Sequence, residues 1–209
     1  MKVLLINGSP HEKGCTYTAL SEVAGSLAKN SIETEIYQIG SGPVYGCSAC
    51  RTCRETNSCV CVLDGDCANE LAEKMLAADG VIIGSPVYYA GPNGALCALL
   101  DRAFFSRTKE MFAYKPAAAV VSCRRAGSTA ALDRLNKYFT IANMTVVASS
   151  YWNMVHGNTP EEVRQDLEGL QIMRRLGENM AFLLKSREAA NAVISPNSPE
   201  APIATNFIR

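Results

Sequence analysis

The chain predicts a doubly wound α/β fold, a five-stranded parallel sheet in the order 2-1-3-4-5 with helices on both faces. Three observations lead there. Five strand-like segments alternate with five helical patterns, and parallel strands need crossovers of that kind. Val3, Leu4, Leu5 and Ile6 form a near-continuous apolar run bounded by Asn7-Gly8, as expected of a central strand covered on both faces. The loop after that run passes directly into a helix start, at the edge of the sheet where ligands of such folds sit.

Taken in order, Gly8, Pro10 and Gly14 punctuate the first loop, and the helical pattern Ala19, Leu20, Val23, Leu27 follows it. Residues 32–39 alternate apolar and polar side chains, which predicts a second, half-exposed strand nearer a sheet edge. Residues 40–67 form a cysteine-rich connection without hydrophobic period, too long for a passive turn. A helix is predicted over 66–78, with Leu71, Met75 and Leu76 on one face, then a buried strand over 80–84. Ser85, Pro86, Val87, Tyr88 and Tyr89 follow at its carboxyl end. Leu96, Leu99, Leu100 and Phe104 mark a helix over 94–107, and residues 117–121 a fourth strand that enters the loop Ser122 to Gly127. A helix over 129–141 and a fifth strand over 145–149 complete the alternation. Thr159, Pro160, Glu161 and Glu162 place a cap, a first-turn proline and dipole-favoured acids at the start of one long helix to about residue 185. The tail 187–209, with Pro196, Pro199 and Pro202, is expected to be mobile or draped over a neighbour.

A chain of 209 residues, 48% hydrophobic and 19% charged, can bury one sizeable core, so residues 1–186 are expected to form one domain with an insertion at 40–67. Twenty basic against twenty acidic side chains leave no net charge. That removes a bulk electrostatic reason to bind nucleic acid or an anionic membrane, and counts against a strongly acidic electron carrier. Met1-Lys2 leads straight into strand without a signal-peptide pattern, and no apolar run approaches the ~20 residues of a membrane span. A cytoplasmic protein is expected. Nine cysteines in a reducing compartment read as thiols, metal ligands or redox groups.

The loops after strands one, three and four converge at the switch point of the predicted sheet. In the first, Ser9, Thr16 and Thr18 add hydroxyl donors to the free N–H groups of a helix N-terminus, a setting suited to a phosphate. The competing reading is that Ser9 or Thr16 caps the helix. The loop is neither the dinucleotide fingerprint G-x-G-x-x-G nor the P-loop G-x-x-x-x-G-K-[ST]. The second loop offers Pro86, Val87, Tyr88 and Tyr89 to an aromatic ring, and the third offers Arg124, Arg125 and the backbone near Gly127. Against this, the tyrosines could plug the sheet edge and the arginines could be solvated.

Gly8-Ser-Pro-His-Glu-Lys-Gly-Cys-Thr16 resembles the G-S-P-R-x-x-G-N-T loop of the NADPH-dependent FMN reductase and iron–sulfur flavoprotein family, and Gly84-Ser-Pro-Val-Tyr88 resembles its G-S-P-x-Y loop. Asp101-Arg102, Arg124-Arg125-x-Gly127, the segments 135–139 and 151–157, and Glu168 to Gln171 extend the resemblance over residues 1–186. It implies a flavodoxin-like fold, FMN with its phosphate on Ser9 and Thr16, and NAD(P)H as co-substrate. His11 and Cys15 depart from the pattern. Histidine in place of the arginine is charged only part of the time near neutral pH, so phosphate affinity is expected to be weaker or pH-dependent. Asp101-Arg102 reads as a structural ion pair and His156 as a structural or interface histidine.

Cys47-x2-Cys50-x2-Cys53-x5-Cys59 is the sharpest local signal. Three cysteines at two-residue gaps in a non-helical loop can turn onto one cubane, with the fourth a few residues on. Free thiols, a four-thiolate zinc site and a thiol switch compete with this reading. The spacing resembles the compact motif of iron–sulfur flavoproteins, which implies a [4Fe-4S] cluster. Cys61 and Cys67 have no assigned role, and Cys97 and Cys123 read as small buried residues.

Two function classes lead. One is an oxidoreductase taking hydride from NAD(P)H onto flavin and passing electrons to flavin, quinone or another small acceptor; the other is an electron carrier using FMN and a cluster with ferredoxin-like partners. A redox or metal sensor without flavin is the third. The segment Tyr151 to His156 and the end Asn206 to Arg209 lack partners in the predicted fold, so a homodimer or tetramer is expected, with the cysteine loop or Trp152 of one subunit bordering the FMN of another.

Overall fold

Alternate residues of the first strand face opposite sides of the sheet, and that parity builds two cores. In β1 (Lys2–Asn7), Leu4 and Ile6 join one apolar cluster and Val3 and Leu5 the other. A computed structural model describes residues 1–196, 200, 203 and 205, leaving aside the side chain of Lys109. The expectations for Pro199, Pro202 and Asn206 to Arg209 lie outside the described residues.

After β1 come α1 (Cys15–Lys29), β2 (Glu33–Gln38), α2 (Thr52–Glu55), α3 (Ala68–Ala77), β3 (Gly80–Tyr88), β4 (Gly91–Pro92), α4 (Gly94–Ser106), α5 (Lys109–Phe112), β5 (Pro116–Cys123), α6 (Ser128–Ile141), β6 (Thr145–Val146), β7 (Met154–His156), α7 (Pro160–Val163) and α8 (Leu167–Asn191). Strands β2, β1, β3, β5 and β6 lie in that order and pair in parallel, the predicted 2-1-3-4-5 arrangement. Helices α3, α4 and α6 cover one face through Leu71, Met75, Leu96, Leu99, Leu135 and Phe139. On the other, α1 and α8 contribute Leu20, Val23, Leu27, Met173, Leu176 and Met180. Each such fully buried side chain is worth about 1.5–3 kcal/mol of transfer free energy. Helices α1 and α8 cross closely because Gly177 has no side chain: a Cβ there would meet the Cβ of Ser26 at 2.6 Å.

Several predicted boundaries need correction. Among the described residues the sheet has seven strands rather than five. The outermost predicted strand is divided: β6 pairs with the start of β5, the chain then leaves the sheet, and β7 pairs with the end of β5. β3 runs on to Tyr88, because Val87 and Tyr88 turn back in an antiparallel pairing with β4. The predicted 160–185 helix is two helices, since Thr159 caps α7 by accepting from the Glu162 N–H, and Asp166 then starts α8 by accepting from Gly169 N–H at 2.9 Å. α8 continues to Asn191, past the predicted start of the tail at 187. Among the described residues no helix is long and apolar enough to cross a membrane.

Candidate functional site

The carboxyl ends of β1, β3 and β5 frame a cleft of about 260 Å³ lined by Ser9, His11, Cys15, Thr16, Pro86, Val87, Tyr88, Ser122, Cys123, Arg124, Gly157 and Asn158. Eight of the twelve cofactor residues expected from the sequence meet there.

The first loop is held from below by Asn7, which is fully buried at the end of β1. Its Nδ2 donates to the carbonyls of His11 (3.3 Å) and Glu12 (3.1 Å) and to Gln38 Oε1 (2.5 Å), and its Oδ1 accepts from Ser9 N–H at 3.2 Å. Gln38 Nε2 in turn donates to the Ser9 carbonyl at 2.7 Å. This clamp fixes the loop's path, and Ser9 Oγ accepts from His11 N–H at 3.1 Å. Gly8 N–H donates to the Gly84 carbonyl at 2.8 Å, and a Cβ on Gly8 would meet Leu96 Cδ2 at 2.4 Å. Only glycine permits β1, β3 and α4 to approach this closely.

Helix α1 then begins at Gly14 without a side-chain cap and without an acidic residue in its first turn. Its leading N–H groups and the positive end of its dipole are thus left for an anion. That disposes of the competing reading for Ser9 and Thr16 as simple caps. Thr16 Oγ1 instead lies 2.8 Å from Ser122 Oγ on β5. Cys15 Sγ faces the Gly157 carbonyl at 3.7 Å. Burial pushes the thiols of Cys15 and Cys123 up from their ordinary value, so both stay neutral at pH 7 and are poor nucleophiles.

Four expected residues fall outside the cleft. Thr18 donates its hydroxyl to the Gly14 carbonyl one turn back, at 3.2 Å. Tyr89 is fully exposed at φ 50°, where the β3–β4 turn throws its ring into solvent. Arg125 is exposed on the loop beyond Arg124. Gly127 (φ 90°) starts α6 against the β3–β4 turn, where a Cβ would meet Ala90 Cα at 2.7 Å. Conversely, sequence reasoning missed Ser122, Cys123, Gly157 and Asn158 as lining residues. The signal for Ser122 and Cys123 was their place at the end of a strand; β7, which delivers Gly157, is too short to be seen in a pattern.

The cysteine segment packs over α4. Cys47, Cys50, Cys53 and Cys61 line one small pocket with Arg51, Leu63, Arg102 and Phe105; Cys59 does not line it. The void measures about 10 Å³, room for one water at most. Cys47 and Cys50 are exposed and Cys53 buried. Hydrogen bonds from Thr52 lower the Cys50 thiol, whereas burial raises that of Cys53. Among the described residues no three His, Cys, Asp or Glu side chains gather closely enough to hold a single metal ion. Held this way the thiols leave no room for a cubane, and Cys59, the fourth ligand expected from the spacing, lies off the wall.

Arg102 is not paired with Asp101. It binds Asp66, while Asp101 accepts from Tyr138 Oη at 2.5 Å and lies 3.5 Å from Arg134. His156 is exposed, its Nδ1 3.7 Å from Asp166, beside Tyr151 in a separate shallow hollow.

The fold is shared with a flavodoxin, WrbA-like protein from Agrobacterium tumefaciens (TM-score 0.60, 15% identity, 88% of this chain and 96% of that one) and with a flavone reductase (TM-score 0.70, 17% identity, 91% and 65%). An iron-sulfur flavoprotein of Methanocaldococcus jannaschii is 32% identical over 192 residues, covering 88% of this chain and 98% of its own. One from Methanosarcina thermophila is 32% identical over 191 residues, covering 88% and 96%. The family signature described as NADPH-dependent FMN reductase matches residues 1–159. With the phosphate-type loop, the ring-sized cleft and this match together, the chain belongs to the NADPH-dependent FMN reductase family.

Proposed function

We propose that the chain is an FMN-dependent oxidoreductase that accepts hydride from NAD(P)H and delivers electrons to a small acceptor. One observation carries this reading: the uncapped start of α1 with Ser9 and Thr16, and the Pro86, Tyr88 and Arg124 side chains, line a single cleft. When bound, FMN supplies the hydride and electron chemistry. The residues present do the rest. Ser9, Thr16 and the leading N–H groups of α1 hold the phosphate; Pro86, Val87 and Tyr88 lie along one edge of the ring. Arg124, on the wall of the cleft, offsets negative charge that develops on the reduced ring. Neutral Cys15 and Cys123 leave the wall free of a competing nucleophile.

A second reading is favoured by the Cys47-x2-Cys50-x2-Cys53-x5-Cys59 spacing and by the two relatives named iron-sulfur flavoproteins: an electron carrier that pairs FMN with a [4Fe-4S] cluster and exchanges electrons with ferredoxin-like proteins. Cys47, Cys50 and Cys53 would hold three irons, with Cys59 the fourth ligand implied by the spacing.

Anaerobic stopped-flow separates the two readings. Rapid bleaching of the flavin band by NADPH or NADH is expected of the reductase, and reduction by ferredoxin alone would sink it. The spectrum of anaerobically purified protein decides the cluster, through a broad shoulder beside the flavin bands. We further infer a homodimer or tetramer, supported by the exposed Tyr151 and Trp152 rings packed 4.9 Å apart beyond the cleft. A monomeric mass by light scattering at micromolar concentration, with FMN bound and turnover intact, would remove a shared site.

A further inference from the structure

The β3–β4 hairpin carries backbone strain that another sequence would avoid. Tyr88 pairs with Gly91, which leaves Tyr89 and Ala90 as the two central residues of the turn. Both sit at positive φ, 50° and 60°, where a side chain crowds its own backbone and where Asn-Gly is the ordinary choice. Strain of this kind persists where the surroundings enforce it, and it concentrates at ligand-binding segments.

Here the surroundings do enforce it. Asn93, just past the hairpin, donates its backbone N–H to Ser85 Oγ at 2.9 Å and its side-chain amide to the Gly8 carbonyl at 2.7 Å. On the other side, a Cβ on Gly127 would meet Ala90 Cα at 2.7 Å and Val87 Cγ1 at 3.2 Å, so the turn lies hard against the start of α6. The hairpin is thus wedged between the first and third loops of the cleft. What it holds in place is the Tyr89 ring, the most exposed large hydrophobic side chain among the described residues. That ring stands one residue, about 3.8 Å of chain, from Tyr88 on the cleft wall.

Packing does not account for a fully solvated ring on a strained and firmly seated turn. A planar ligand does, because aromatic faces gain from offset stacking beyond the area they bury. With FMN in a cleft of about 260 Å³, a second reactant is left to the mouth, where Tyr89 stands.

We propose that Tyr89 is the docking face for a planar, conjugated electron acceptor, a quinone or a free flavin, at the mouth of the cleft, and that it selects acceptors by their flatness. This rests on the reductase reading. The reaction it serves balances as NAD(P)H, one proton and a quinone giving NAD(P)⁺ and the hydroquinone, and Tyr89 takes no electron or proton in it.

The test is steady-state kinetics of the FMN-loaded protein with saturating NADPH or NADH, using menadione and riboflavin as planar acceptors and ferricyanide as a compact, non-planar one. Tyr89→Ala is expected to raise KM for the planar acceptors about five- to tenfold, with little change in kcat, and to leave KM for ferricyanide in place; Tyr89→Phe should restore the planar KM. The planar acceptor with the lower wild-type KM names the substrate class. Tyr89→Asn/Ala90→Gly, which relaxes the turn, should unfold at a higher urea concentration than wild type while showing the same raised KM. Wild-type KM for both planar acceptors in Tyr89→Ala would overturn the proposal. So would an equal rise for ferricyanide, or a smaller mass by light scattering, which would make Tyr89 an anchor between subunits. Wild-type protein that binds FMN but passes no electrons from NAD(P)H to ferricyanide would instead overturn the reductase reading beneath it.

Discussion

The hydroxyl oxygens of Thr16 and Ser122 lie 2.8 Å apart, joining the first turn of α1 to the end of β5 at the wall of the cleft. Both side chains are buried. One hydroxyl hydrogen is used between them and one is left for a ligand. Thr16→Val, which keeps the shape and removes the donor, should weaken FMN binding by about 1–3 kcal/mol, and Ser122→Ala by about 1 kcal/mol through loss of its support. Fluorescence titration with FMN reads both. Wild-type affinity in both variants would move the phosphate away from these hydroxyls.

The two adjacent tyrosines separate the cleft from the surface. Tyr88 lines the cleft, whereas Tyr89 projects fully into solvent. Tyr88→Ala should cost about 1 kcal/mol of FMN affinity through lost aromatic contact, and Tyr89→Ala nothing measurable. Equal losses would show that the β3–β4 turn closes over the ring on binding.

Gly84 couples the sheet to the start of α1. A Cβ there would meet Leu20 Cδ1 at 2.8 Å and Thr16 Cγ2 at 2.9 Å. Gly84→Ala should lower stability in urea by about 1–3 kcal/mol and weaken FMN binding in parallel, because Thr16 must shift. Adding Thr16→Ser removes the clashing methyl and keeps the hydroxyl, so it should recover part of both losses. An FMN affinity untouched by Gly84→Ala would mean that the start of α1 does not bear on the ligand.

Asp66 gives the fold an acid limit. Burial raises its carboxyl, but N–H donors from Tyr45 and Ala68 and the Arg102 guanidinium outweigh that and hold it below its ordinary 3.8. A carboxylate depressed in the folded state contributes stability that is fully present above 3.8 and lost as the pH falls through the lower folded value. The urea midpoint of the wild type should therefore fall on acidification below pH 4, and Asp66→Asn should be destabilised at pH 7 with a flatter acid limb. Parallel pH profiles for the two proteins would contradict the assignment.

What the sequence made legible, and what it hid, follows from how far apart the cooperating residues lie. The loop Gly8 to Thr16 could be read because its hydroxyl residues fall within one short stretch and its glycines announce the turn. Asn7 and Gln38 could not, because their roles come from the parallel pairing of β1 and β2 that sets them side by side. Tyr88 and Tyr89 look equivalent in a string; the turn to β4 puts one in the cleft and the other outside. In the cysteine segment, spacing alone marks Cys59, while the geometry puts Cys61 on the pocket wall, since a loop with residues at positive φ carries no period from which to infer direction. The break between α7 and α8 was legible in principle: Asp166 is a capping residue, overlooked inside an otherwise helical stretch.

The divided outer strand leaves little of that sheet border open to another chain. An unpaired sheet border is a template for adding strands from another molecule, and proteins suppress it with short or charged border strands. Here β6 offers only Thr145 and Val146 before the chain peels away, and the opposite border, β2, carries Glu33 and Glu35, with Lys2 and Lys74 paired across Glu35. Neither border invites a neighbour's strand. Any self-association would therefore use loops and helix faces, leaving the carboxyl ends of the strands, where the cleft lies, free to be walled by a second copy without the sheets ever fusing into one.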